Sequence, residues 1–126
     1  MARILIADDD EDIRLLIVMR LRRDGHDLEA VTDGQAAWEA LRAGGFDLAI
    51  LDNSMPALTG LEVVERCRAE PGLAGLRILM VTALAQEQDV EGGLAAGADR
   101  YMTKPFGLGD LSREVGELVS RQADPA

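Results

Sequence analysis

The chain has 126 residues, a single domain by size, and can bury roughly two thirds of its unfolded surface without a metal or disulfide staple. Thirteen Lys and Arg against 23 Asp and Glu give a net charge of −10, which repels phosphate backbones and anionic lipid, so neither direct DNA binding nor membrane binding is expected. One cysteine excludes an internal disulfide, no Cys/His cluster is spaced for zinc, and neither a membrane span nor a leader segment is legible, so a cytoplasmic protein is expected.

In chain order, Arg3–Ala7 (RILIA) is a short apolar run of the kind buried in a parallel strand. The acidic stretch Asp8 to Asp12 follows, and Asp10, Glu11 and Asp12 suit the start of a helix, where negative charge meets the positive end of the dipole. That helix places Ile13, Leu16, Ile17 and Leu21 on its inner face and stops near Gly25. Asp27–Val31 alternates polar and apolar residues as an edge strand does; His26 before it is a turn residue. Ala37, Trp38 and Leu41 mark a second helix ending at Gly44, with Trp38 as a partly buried packing residue. Asp47–Leu51 reads as a buried strand, and Leu61, Val64 and Cys67 mark a third helix with Cys67 as an inert core thiol. Arg77–Val81 is a further buried strand, and Val90 with Leu94 marks a fourth helix ending at Gly97. Gly92 and Gly93 inside that helix weaken it by about 2 kcal/mol relative to alanine. Arg100–Thr103 is a weaker edge strand, and Leu108, Leu111, Val115 and Leu118 define the last helix. The folded domain is expected over residues 1–121, with 122–126 as a disordered tail. Strand and helix alternate five times, which argues for an α/β domain with a parallel sheet and right-handed crossovers.

Ligands of open parallel sheets sit beyond the carboxyl ends of the strands. The first strand runs into Asp8 and Asp9, the third ends at Asp52, the fourth at Thr82 and the fifth at Lys104 before Pro105. Crowded carboxylates need a cation, and an all-oxygen set points to Mg2+ or a similar hard ion. A lysine and a hydroxyl opposite that ion complete what phosphoryl transfer to a carboxylate requires.

These residues carry a resemblance. ILIADDDEDIR at 4–14, LAILDNSMPALTGLEV at 48–63, ILMVTA at 78–83 and GADRYMTKPF at 97–106 resemble the receiver domains of two-component response regulators, in particular stand-alone CheY-like ones. The resemblance implies a doubly wound, flavodoxin-like (βα)5 fold with strand order 2-1-3-4-5. It implies that Asp52 accepts a phosphoryl group from a sensor histidine kinase or a histidine phosphotransfer protein. Asp9 would ligate Mg2+ directly and Asp8 through water, and Asp52 and the Ser54 carbonyl would complete the set. Thr82, Ala83 and Lys104 would bind the phosphoryl oxygens, Tyr101 would move when Thr82 is drawn inward, and the Lys104–Pro105 peptide would be cis.

The output would pass through the face of helix four, strand five and helix five to a downstream effector that the sequence does not identify. The resemblance also allows a phosphorylation-dependent dimer. Such a domain catalyses only its own phosphorylation and dephosphorylation and is not otherwise an enzyme. Asn53 stands where the family commonly has an apolar residue, and Thr59 where it often has Asp. Ser54 and Leu84 occupy the positions that tune acyl-phosphate hydrolysis, and Leu84 cannot hydrogen-bond the attacking water. Three other readings compete. A Mg-dependent phosphatase with an Asp nucleophile would want an acid where Ser54 stands. A non-phosphorylated binding module would lack one of the site groups. A flavodoxin-like electron carrier would need a Ser/Thr/Gly phosphate cradle that no strand-end loop offers.

Overall fold

The computed structural model describes residues 2–123. Its elements are β1 (Arg3–Ala7), α1 (Glu11–Arg23), β2 (Asp27–Val31), α2 (Gly34–Ala43), β3 (Leu48–Leu51), α3 (Gly60–Ala69), β4 (Arg77–Thr82), α4 (Glu87–Ala96), β5 (Arg100–Thr103) and α5 (Leu108–Ala123), with a short 3-10 turn at Pro71–Leu73. The five strands are parallel in the order β2-β1-β3-β4-β5. None of the described helices is long and apolar enough to cross a membrane.

Period-two alternation in the central strands separates two cores. Leu5, Ala7, Ala49, Leu51, Ile78 and Met80 face α2 and α3, packing with Ala37, Leu41, Val63, Val64 and Cys67. Ile4, Ile6, Leu48, Ile50, Leu79 and Val81 face α1 and α5, packing with Ile17, Leu21, Leu111, Val115 and Leu118. Both sheet faces are therefore dry, which is why these strands read as continuous apolar runs rather than alternating ones. β2 and β5, at the edges, are only partly buried.

Local chemistry sets the helix starts. Asp10 caps α1 by accepting the Ile13 N–H at 3.2 Å, and Asp33 caps α2 by accepting the Ala36 N–H at 2.7 Å. Thr59 and Glu62 form a reciprocal capping box at α3, with bonds of 3.2 and 2.9 Å, so Thr59 does the work of a cap in its own right.

Several expectations change. Leu16 is 49% exposed: the inner stripe of α1 runs Ile13, Ile17, Leu21, and Leu16 lies one position off that line. Leu94 is 44% exposed, because Gly93 rather than Leu94 is the residue of α4 that turns inward. Asp47 precedes β3, and its carboxylate accepts the Arg3 N–H at 2.9 Å. α5 continues through Gln122 and Ala123, two residues of the segment assigned to a tail; residues 124–126 lie outside the described residues. Cys67 is fully buried, and burial pushes its thiol up to about 11. Trp38 is partly buried against the α2–α3 core. His26 accepts the Ala2 N–H on Nδ1 at 3.2 Å, and burial lowers its pKa.

Candidate functional site

The strand register builds the site. Ala7 pairs with Leu51, so the next residues, Asp8 and Asp52, leave adjacent strands at the same level. The Asp52 N–H extends that ladder by donating to the Ala7 carbonyl at 3.0 Å. Thr82 pairs with Thr103, and the Lys104 N–H donates to the Thr82 carbonyl at 2.8 Å, which brings the lysine to the same rim. Because β1 lies between β2 and β3, the chain reverses its winding direction here, at the place where open α/β sheets collect ligands.

Asp8, Asp9 and Asp52 each offer a carboxylate oxygen, and these atoms lie within 4.8 Å of one another. Lys104 Nζ bridges two of them, 2.8 Å from Asp8 Oδ2 and 3.4 Å from Asp52 Oδ2. Asp8 and Asp52 are buried, at 2% and 5% exposure, whereas Asp9 is exposed to solvent. Asp8 Oδ1 accepts the Asp10 N–H at 2.9 Å, and Asp52 Oδ1 accepts the Ser54 N–H at 3.4 Å. Burial raises the Asp8 pKa; the hydrogen bond from Lys104 opposes that rise without cancelling it. Burial alone would lower the Lys104 pKa, but the hydrogen bond to Asp8 and the charge of Asp52 outweigh it and hold the ammonium protonated.

Three carboxylates against one ammonium leave two negative charges in a small volume. A divalent ion with oxygen preference matches both that charge and that donor set. Thr82 is fully buried at the end of β4, and its hydroxyl accepts the Leu84 N–H at 3.4 Å, which leaves its own proton to donate. Ala83 and Ser54 lie exposed in the loops that follow β4 and β3. The Lys104–Pro105 peptide is cis. Tyr101 packs at the edge of the α2–α3 core and donates its hydroxyl to the Leu84 carbonyl at 2.8 Å.

Four residues support the site in ways that sequence reasoning did not assign. Arg14 donates to the Asp8 carbonyl at 3.0 Å, tying α1 to the loop that carries the acid pair; its one hint was a cation six residues beyond Asp8 in an acidic stretch. Asn53 accepts the Leu61 N–H on its side-chain oxygen at 2.8 Å, so this polar residue anchors the start of α3 beside Asp52. Gly60 permits the same approach: a Cβ there would collide with the Asp52 carbonyl. Ala57 adopts a φ of 70°, turning the loop between Asp52 and α3 in a conformation that nothing in its residue type announces.

A model of the response regulator receiver domain matches residues 4–116, and the chain belongs to that family, the receiver domains of two-component systems. The transcriptional regulatory protein TcrA of Mycobacterium tuberculosis is 35% identical over 123 residues, which cover 98% of this chain and 48% of that protein. The chain spans about half the length of the curated relatives it matches. Among solved structures, a CheY-like receiver domain protein from Methanospirillum hungatei matches with a TM-score of 0.90 at 29% identity, covering 98% of this chain and 97% of that one. The receiver domain of a sensor histidine kinase from Pseudomonas aeruginosa matches with a TM-score of 0.87 at 28% identity, covering 94% of this chain and 98% of that one. That structure holds a magnesium ion coordinated in its active-site cleft.

Proposed function

We propose that this domain is a phosphorylation switch that receives a phosphoryl group on Asp52 from the phosphohistidine of a sensor histidine kinase or a histidine phosphotransfer protein. The supporting observation is the convergence of Asp8, Asp9 and Asp52 within 4.8 Å, with Lys104 bridging Asp8 and Asp52. An Asp52 oxygen forms the new P–O bond as the P–N bond to the donor imidazole breaks, and the released imidazole takes its proton from solvent. Asp8, Asp9 and Asp52, with the Ser54 carbonyl, would hold Mg2+, which supplies charge neutralisation at the phosphoryl oxygens when bound. Lys104 offers its ammonium to a phosphoryl oxygen, at the cost of its bond to Asp52. The Thr82 hydroxyl and the Ala83 N–H serve the remaining oxygens.

The domain acts on no other substrate in this reading: Ser54 stands where an aspartyl phosphatase would place its proton-donating acid. Phosphorylation shifts a two-state equilibrium that the α4–β5–α5 face reports to a partner, or to a second copy as a phosphorylation-dependent dimer. The test is intact mass after incubation with acetyl phosphate and Mg2+. One added phosphoryl group on the native chain and none on Asp52→Ala is the expected result; equal labelling of both would overturn the assignment.

A further inference from the structure

The paired glycines of α4 look equivalent in the sequence and are not equivalent in the fold. Gly92 is exposed, and a Cβ built on it meets nothing within 4 Å. Gly93 is buried, and a Cβ there would lie 2.9 Å from both Cδ2 and Cε2 of Tyr101 and 3.1 Å from Met80 Sδ. The absent side chain is the space that the tyrosine ring uses.

An added methyl could be relieved by the helix backing away or by the ring moving. The helix is pinned immediately beyond this point. Arg68 Nε donates to the Gly97 carbonyl at 2.8 Å, and its stem packs so closely on Gly97 that a Cβ there would collide with it. The Arg68 guanidinium also holds the Leu76 carbonyl at 2.7 Å and Asp99 at 3.0 Å, while the Ala98 N–H donates to the Gly93 carbonyl itself at 3.1 Å. Among the described residues the ring has one hydrogen bond, from its hydroxyl to the Leu84 carbonyl at 2.8 Å, and it turns about single bonds. A cavity of about 120 Å³ beside it, lined in part by Asn53, Leu61, Leu84 and Gln88, leaves it room. The ring is the softer element.

We propose that Gly93 is the positioning residue for Tyr101: its bare backbone admits the ring against α4 and so permits the hydrogen bond to Leu84. The ring's position reaches the site through one residue, since Leu84 gives its N–H to the Thr82 hydroxyl at 3.4 Å and its carbonyl to Tyr101. This coupling to Asp52 rests on the switch reading above, whereas the placement of the ring does not.

The chain has a single tyrosine, so its ring resonances are unambiguous. Nuclear Overhauser effects from that ring to the Met80 methyl, and to whichever α-proton residue 93 carries, are measured in the native chain, Gly92→Ala and Gly93→Ala. Gly92→Ala keeps them and raises Tm by about 4 °C, the ordinary gain of alanine over glycine in a helix. Gly93→Ala loses them and gains no such Tm, but recovers the gain when combined with Tyr101→Ala. Retained ring contacts in Gly93→Ala, or an equal Tm gain in both backgrounds, overturns the proposal. Asp52 labelling by acetyl phosphate is expected to slow severalfold in Gly93→Ala and not in Gly92→Ala; equal rates in these variants overturn the coupling. A native chain that takes no label overturns the switch reading, and the ring contacts then judge the placement alone.

Discussion

Lys104→Met keeps an apolar stem beside the acids and removes the ammonium that lies 2.8 Å from Asp8 and 3.4 Å from Asp52. Two buried carboxylates then face each other within 4.8 Å, where an effective dielectric of about 20 gives a repulsion of about 3.5 kcal/mol. Removing one partner of a buried ion pair costs ~3–5 kcal/mol, and the 16% exposure of the Lys104 side chain favours the lower end. The expected loss is about 3 kcal/mol, or about 10 °C in Tm for a domain of this size. Its pH dependence has a definite sign. The Asp8 pKa is already raised by burial, and the variant loses the hydrogen bond that opposes the rise. A carboxyl raised above its unfolded value favours folding while protonated, and that contribution disappears as pH rises through the folded value. The deficit relative to the native chain is therefore larger at neutral pH than at an acidic pH near the ordinary carboxylate range, where Asp8 takes up its proton in both proteins. Urea unfolding of both proteins at the two pH values, with and without Mg2+, reads all of this. Mg2+ should recover much of the loss at the higher pH. A deficit independent of pH and untouched by Mg2+ would refute the electrostatic account of the site.

Three further outcomes are expected. Cys67, fully buried with its thiol pushed up to about 11, should react with a thiol reagent near neutral pH only at the rate of unfolding; a fast reaction in native buffer would contradict the core assignment. Leu84 has no polar group for a water attacking the acyl phosphate, so Leu84→Glu should shorten the lifetime of phosphorylated Asp52 severalfold, and an unchanged dephosphorylation time course would count against it. The glycine pair should leave amides of α4 exchanging with deuterium at least tenfold faster than those buried in α1, a difference of about 1.4 kcal/mol in opening free energy; equal protection would disprove the weakening.

The sheet was legible because its chemistry is local. Ile4 to Ala7, Leu48 to Leu51 and Ile78 to Val81 are apolar on both faces, and only a strand covered by helices on both sides needs that. The site was legible for the same reason: each group ends a strand or follows one within two residues, and parallel pairing carries register from Ala7–Leu51 to Asp8 and Asp52 without further information. The strand order came from the resemblance, since five alternating strands and helices fit several windings. Helix faces were less secure. Ile13, Leu16, Ile17 and Leu21 all suit a helical period, but the buried arc is narrower than that set, and Leu16 falls outside it. Val90 with Leu94 suits a helical period, but the residue of α4 that turns inward is Gly93, whose missing side chain leaves room for the Tyr101 ring. The bonds from Arg14 to Asp8 and from Arg68 to Gly97 and Asp99 join residues whose meeting depends on the finished fold, and no periodicity encodes them.

The central claim is that the carboxylate at position 52 is the group that takes the phosphoryl, with the neighbouring acids holding the ion it needs. Borohydride reduces an acyl phosphate to the alcohol, so trapping after acetyl phosphate treatment followed by peptide mapping locates the acceptor directly. The account predicts homoserine in place of Asp52, formed only when Mg2+ is present and absent in a chain carrying Asp8→Asn and Asp9→Asn together. Homoserine at another aspartate, or at position 52 without Mg2+ and without the acid pair, would contradict it.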